Sequence, residues 1–272
     1  MRHRPNFLSR FCRTRSNLLF VPVMAIMTAA CGSLALLASL VDKQGRWQHR
    51  IAQIWARGLV WGCGSSLKVQ GQENLLRHPV AVYASNHTSY MDIPVIFASL
   101  PFQFRILARN VLWPIAFIGW YLNRSGQIPI DTNNPRATLS SLGVATKALR
   151  SGMPLFIFPE GGRTSDGALR PFLSGAAYLA IRAQVPLVPI GLSGVFDLLP
   201  IHARHFYPSE LTLRVGEPIP TAGMTLRQMD ELTARLKAEI ERLRGVDAVR
   251  AQAPASAASG EMSGEQAQRI EV

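Results

Sequence analysis

A histidine followed five residues later by an aspartate, in the run Ser85-Asn86-His87-Thr88-Ser89-Tyr90-Met91-Asp92, sets a proton acceptor near a carboxylate that can orient it. The run lies between a short apolar stretch and an apolar helical one. It therefore falls at a strand-to-helix turn, where side chains are presented to ligands. On an uninterrupted helix, residues five apart are roughly 140° out of phase, so contact between His87 and Asp92 requires a turn at the helix start. Given that contact, the carboxylate fixes the imidazole tautomer and stabilises the imidazolium, the arrangement of a general base. A histidine that only caps a helix is the plain alternative, and a chain of this composition holds about 0.15 such spacings by chance. Context has to separate the two.

A second group, Phe158-Pro159-Glu160-Gly161-Gly162-Arg163-Thr164-Ser165, also follows an apolar strand. Paired glycines permit close backbone approach and arginine offers a planar fork suited to phosphate, so Glu160, Gly161, Gly162 and Arg163 outline an anion site. No GxxxxGK[ST] loop accompanies it, and a tight surface turn with a solvated arginine fits the same residues. Ala108 to Trp120 joins the cation Arg109 to an aromatic-rich apolar stretch, which suits either an acyl-chain groove beside a charged head group or a core helix. Val185-Pro186-Leu187-Val188-Pro189-Ile190 carries no reactive side chain and reads as a supporting strand.

In this order, NHTSYMD, ARNVLWPIAFIGW, FPEGGRTSDG and VPLVPI resemble the four-block pattern of the glycerolipid acyltransferases, above all the 1-acyl-sn-glycerol-3-phosphate acyltransferases, over about Leu67 to Pro220. The resemblance implies an α/β domain anchored by N-terminal membrane helices, with His87 and Asp92 as a catalytic dyad. It implies acyl-CoA or acyl-carrier protein as donor, no cofactor beyond it, and a membrane lipid as acceptor. It places the acceptor phosphate on Glu160, Gly161, Gly162 and Arg163, with help from Arg109. The chain departs from the pattern twice: Gly162 stands where threonine is common, and Thr132 where an arginine often follows Ile130-Asp131. Arg136 and Arg124 are the candidate substitutes. The implied product is phosphatidate, formed by acylation of the sn-2 hydroxyl. Other lysolipids such as lyso-ornithine lipid, or glycerol 3-phosphate, remain alternative acceptors. A lipid (thio)ester hydrolase and a non-enzymatic membrane adaptor remain alternative functions. No GxSxG elbow is present and no cysteine lies beside His87, so no covalent acyl-enzyme is required. Helix-start amides near His87 are candidates for an oxyanion hole.

The elements that would carry these groups alternate. Leu67–Gln70, Val80–Ala84, Phe104–Ala108, Gln127–Ile130, Leu155–Phe158, Leu187–Gly191 and Leu211–Val215 read as strands. Helical patterns over Ile93–Leu100, Pro114–Leu122, Arg136–Arg150, Ser174–Gln184 and Leu226–Leu243 lie between or after them. The fold class is therefore α/β: a mixed, mostly parallel sheet covered by helices.

Ahead of this domain, Leu18 to Val41 carries no charge and, at about 1.5 Å per residue, is long enough for a roughly 30 Å hydrocarbon layer. Arginines at 2, 4, 10, 13 and 15 precede it, and Lys43, Arg46, Arg50 and Arg57 follow it, so both flanks favour the cytoplasm. Trp47 to Trp61 has the spacing of an interfacial amphipathic helix. A single span and a one-leaflet hairpin both remain open. The net charge of +12 then belongs with an anionic membrane surface rather than with nucleic acid. Cys12, Cys31 and Cys63 show no zinc-site spacing, so no metal is expected. The chain divides into a basic arm (1–17), a membrane anchor (18–64), an acyltransferase domain (65–245) and a disordered tail (246–272). Its expected place is the inner (cytoplasmic) membrane, with the catalytic domain on the cytoplasmic face.

Overall fold

The structure, a computed structural model, describes residues 14, 16–201, 203 and 205–245. The basic arm up to Arg13, together with Arg15 and the 246–272 tail, lies outside the described residues. A π-helical turn at Ser16–Phe20 leads into α1 (Val21–Ala38), and a turn closed by Asp42 leads into α2 (Arg46–Gly62). The two helices run antiparallel. Gly58 and Gly62 of α2 let α1 approach closely: a Cβ at Gly58 would lie 2.7 Å from Met27 Sδ, and one at Gly62 3.1 Å from the Phe20 ring. Trp55 Nε1 donates to Thr28 Oγ1 across the pair at 2.9 Å.

The remaining elements are β1 (Ser66–Gln70), α3 (Gln72–Arg77), β2 (Val82–Ser85), α4 (Asp92–Ser99), β3 (Arg105–Arg109), α5 (Ile118–Arg124), β4 (Ile128–Ile130), α6 (Pro135–Arg150), β5 (Leu155–Ile157), α7 (Gly175–Ala183), β6 (Leu187–Ser193), α8 (Val195–Leu198), β7 (Glu210–Val215) and α9 (Met229–Arg244). The sheet order is β1-β7-β6-β2-β5-β3-β4. The run from β6 to β4 is parallel throughout, β7 is antiparallel to β6, and β1 is parallel to β7. This is the mixed, mostly parallel sheet read from the sequence.

Every residue of β2, β5 and β6 is buried, as central parallel strands require. Alternation sends Tyr83, Phe156, Val188 and Ile190 toward the face covered by α2 and α4. Val82, Ala84, Leu155, Ile157 and Leu187 point toward α6, α7 and α9. The helical pattern over Pro114–Leu122 resolves differently. A 3-10 turn at Asn110–Leu112 is followed by α5, because the Pro114 ring disfavours continuation and Gly119 closes on Trp113: a Cβ there would sit 1.8 Å from the Trp113 carbonyl oxygen.

Candidate active site

The candidate residues gather at the carboxyl ends of the parallel strands, where open α/β sheets bind ligands. His87 follows β2, Glu160 to Arg163 follow β5, and Arg109 ends β3, with β5 lying between β2 and β3. Asn86 ties the first loop to β6: its Oδ1 accepts from the Leu192 N–H at 2.8 Å and its Nδ2 donates to the Leu192 carbonyl at 3.1 Å.

Asp92 is the first residue of α4 and is fully buried. Its Oδ2 reaches back over the turn to accept from Thr88 N at 2.6 Å and Ser89 N at 2.8 Å, and lies 2.8 Å from His87 Nδ1. A buried carboxylate needs such donors, since hydrogen bonds to a charged group contribute about 1.5–3 kcal/mol each. The bond to Nδ1 places that ring proton toward Asp92 and leaves the lone pair on Nε2. Phe158 stacks on the imidazole, with ring centroids 4.0 Å apart and planes 18° from parallel. The ring is therefore held from its edge and from one face.

Glu160 is also buried, and its carboxylate is turned inward. Oε1 accepts from His87 N at 2.7 Å and Oε2 from Arg170 N at 2.9 Å, so it braces three chain segments. Burial raises its pKa above the ordinary value, while the two amides, Arg244 and His87 act in the opposite sense. Its contribution to a ligand site is thus through the backbone that it holds. The helix-start amides considered for an oxyanion are engaged as well: those of Thr88 and Ser89 by Asp92, and that of His87 by Glu160. Two buried carboxylates have claimed the local donors.

Gly161 has φ of 68° and its N–H donates to the Phe158 carbonyl at 3.2 Å. A left-handed residue in that turn favours glycine. The Arg163 guanidinium lies over the Tyr90 ring, 3.6 Å from its centroid. Gly162, one of the two departures from the resembled pattern, leaves room for another cation: a Cβ there would be 3.2 Å from Arg170 Nη1. Arg109 is exposed. Of the two candidate substitutes, Arg124 donates to Ser39 Oγ at 3.2 Å beside the anchor turn, and Arg136 is exposed at the start of α6.

Sequence reasoning missed Asn86, Tyr90, Phe158, Arg170 and Arg244. The first three adjoin or lie within the motifs and were open to notice. Arg170 and Arg244 carry no local signal; Arg244, buried at the end of α9, reaches the Gly167 carbonyl across 77 positions. Among the described residues no group of three or more His, Cys, Asp or Glu is placed to hold a metal ion.

A carboxylate-oriented histidine thus lies at the mouth of a mostly parallel sheet, and a family model described as Acyltransferase matches residues 66–193, the part of the chain that carries it. Residues 66–193 therefore form a domain of the acyltransferase family, and the curated proteins that the chain resembles are named 1-acyl-sn-glycerol-3-phosphate acyltransferases. It is 34% identical over 163 residues to the chloroplastic protein of that name from Brassica napus, covering 59% of this chain and 47% of that one. It is 27% identical over 222 residues to the Saccharomyces cerevisiae protein, covering 79% and 73%. The chain thus spans about half the length of the plant relative. The fold matches the crystal structure of the 1-acyl-sn-glycerophosphate acyltransferase PlsC from Thermotoga maritima, with a TM-score of 0.71 over 87% of this chain and 97% of that one at 23% identity.

Proposed function

We propose that this protein transfers a fatty acyl group from acyl-CoA or acyl-carrier protein to the sn-2 hydroxyl of 1-acyl-sn-glycerol 3-phosphate, giving phosphatidate for phospholipid synthesis. The names of its relatives support this acceptor. The observation that carries the chemistry is the buried Asp92 on Nδ1 of His87, which leaves Nε2 as a base. Nε2 takes the proton of the acceptor hydroxyl as its oxygen forms a bond to the thioester carbonyl carbon. The tetrahedral intermediate then breaks its C–S bond, and the departing thiolate recovers the proton from the imidazolium. A thiol with an ordinary pKa near 8.5 leaves with little acid assistance. Arg163, Arg170 and the Gly162 amide hold the acceptor phosphate, Glu160 keeps their loop in register with His87, and no cofactor or metal takes part.

The same reading puts the protein on the inner membrane with its catalytic domain toward the cytoplasm, the compartment that supplies both donors. The α1–α2 hairpin supports one-leaflet anchoring. Phe20 at the start of α1 packs on Phe206 with centroids 4.4 Å apart, and Ser39 just past its end meets Arg124. A helix held to the catalytic domain at both ends lies along that domain rather than perpendicular to it.

Purified full-length protein in detergent, offered lysophosphatidate and acyl-CoA or acyl-carrier protein, forms phosphatidate only when both substrates are present. His87→Ala abolishes transfer with little change in thermal unfolding, and Asp92→Asn leaves a small residue of activity. Turnover by His87→Ala equal to that of the parent refutes the dyad, and acyl release without acceptor makes the protein a hydrolase.

A further inference from the structure

We infer that the segment from Val111 to Trp120, within the catalytic domain, is a second membrane contact that enters the same lipid leaflet as α1. Val111, Ile115, Phe117, Ile118 and Trp120 are all exposed, Phe117 at 61% and Trp120 at 56%. Soluble surfaces rarely gather apolar side chains at this density. The rings of Phe117 and Trp120 meet at 5.2 Å between centroids, so the segment presents a formed cluster rather than scattered side chains. Phe117 has φ of 64°, a strained conformation for a bulky residue, and the close approach of Gly119 to the Trp113 carbonyl fixes the turn that holds it.

The occupant follows from what adjoins the cluster. α5, which ends the segment, packs on α1, and Arg124 is bonded to Ser39 at the end of α1. Leu37 in the last turn of α1, and Leu40 and Val41 in the turn that follows it, are exposed as well. The apolar surface of the long hydrophobic helix therefore continues onto the catalytic domain. Arg109 and Arg124 flank the segment in sequence, as cations do where a chain passes lipid phosphates. A lipid leaflet fits both the apolar cluster and its basic borders. The inference rests on the membrane placement proposed above.

The test uses the full chain with Cys12 and Cys31 changed to Ser, Cys63 to Ala, and one cysteine introduced by Phe117→Cys and labelled with an environment-sensitive dye. A control carries Val144→Cys on α6, across the sheet from the anchor. On vesicles of phosphatidylcholine and phosphatidylglycerol, the label at 117 shifts to the blue and is quenched at least about twofold by spin-labelled acyl chains. The label at 144 stays open to aqueous iodide. Iodide quenching at 117 on vesicle-bound protein overturns the inference. So does a blue shift seen equally in vesicle-free dimers and untouched by the spin-labelled lipid, which assigns the patch to a second copy. Phe117→Ser/Trp120→Ser lowers kcat/KM for acceptor embedded in vesicles by about tenfold more than for a monomeric short-chain acceptor. Equal losses on both acceptors overturn it. Should the parent transfer acyl groups to neither acceptor, the functional reading fails while the fluorescence still decides the membrane contact.

Discussion

At the scale of single residues, the site separates into groups facing the protein and groups facing outward. Asp92 and Glu160 face inward, and their oxygens accept from backbone amides, whereas the Arg163 guanidinium lies on Tyr90 at the site's edge. Arg163→Ala lowers acceptor kcat/KM at least about tenfold, the consequence of losing a charge-assisted contact of roughly 1.5–3 kcal/mol. Arg163→Lys recovers only part, since an ammonium keeps the charge without the planar fork. Steady-state kinetics with each substrate varied in turn would assign Arg163 to the donor if the donor KM rose instead. Tyr90 acts through Arg163. Tyr90→Phe keeps the ring face and the rate, and Tyr90→Ala loses about two- to fivefold on the acceptor alone, the scale of an exposed cation–π contact of about 0.5–1 kcal/mol. A loss of the same size in the Arg163→Ala background would show the two to be uncoupled. Glu160→Gln replaces one acceptor oxygen with an NH2 group that faces a backbone donor, and costs about 1–3 kcal/mol in denaturant-monitored stability.

At the scale of elements, α2 joins anchor to catalytic domain through a buried histidine. His49 packs against Phe97 and Phe104, and burial lowers its pKa to about 4, with the Phe102 backbone acting weakly against that shift. The unfolded chain, with an ordinary histidine pKa near 6.5, takes up a proton that the folded chain refuses, so stability falls as pH drops from about 6.5 toward 4. At 1.36 kcal/mol per unit the loss approaches about 3 kcal/mol, and about 2 kcal/mol of it is reached by pH 5. His49→Leu removes this share, so parent and variant, melted in detergent at pH 7.5 and pH 5, diverge on acidification. Parallel curves would show that His49 stays solvated. The strands were legible because β2, β5 and β6 are short apolar runs bounded by turn residues. α3 and α8 were not, since six and four residues are too short to show helical periodicity. The HxxxxD turn was legible as spacing, whereas Asn86 to Leu192 and Arg244 to Gly167 are contacts that only the folded sheet brings together.

At the scale of the whole molecule, the decisive question is how the protein meets a bilayer. Leu18–Ala38 is long and apolar enough to cross one, with a mean hydropathy of 2.1, and composition alone cannot separate a span from a helix lying in one leaflet. The contacts at its two ends favour the latter, because Phe20 and Ser39 both touch the catalytic domain, and Gly58 and Gly62 hold α2 along α1 between them. A transverse α1 would have to break one of those contacts and strand the Asp42 turn on the far side. The cysteine-free background described above allows a direct test in sealed vesicles of known orientation. Lys43→Cys, exposed in the α1–α2 turn, and Asn133→Cys, exposed in the catalytic domain, react with an impermeant maleimide from the same face. Both remain unlabelled when only the opposite face is reached. Reaction of Lys43→Cys solely from the face opposite Asn133→Cys would make α1 a true span and require the hairpin to open in the membrane.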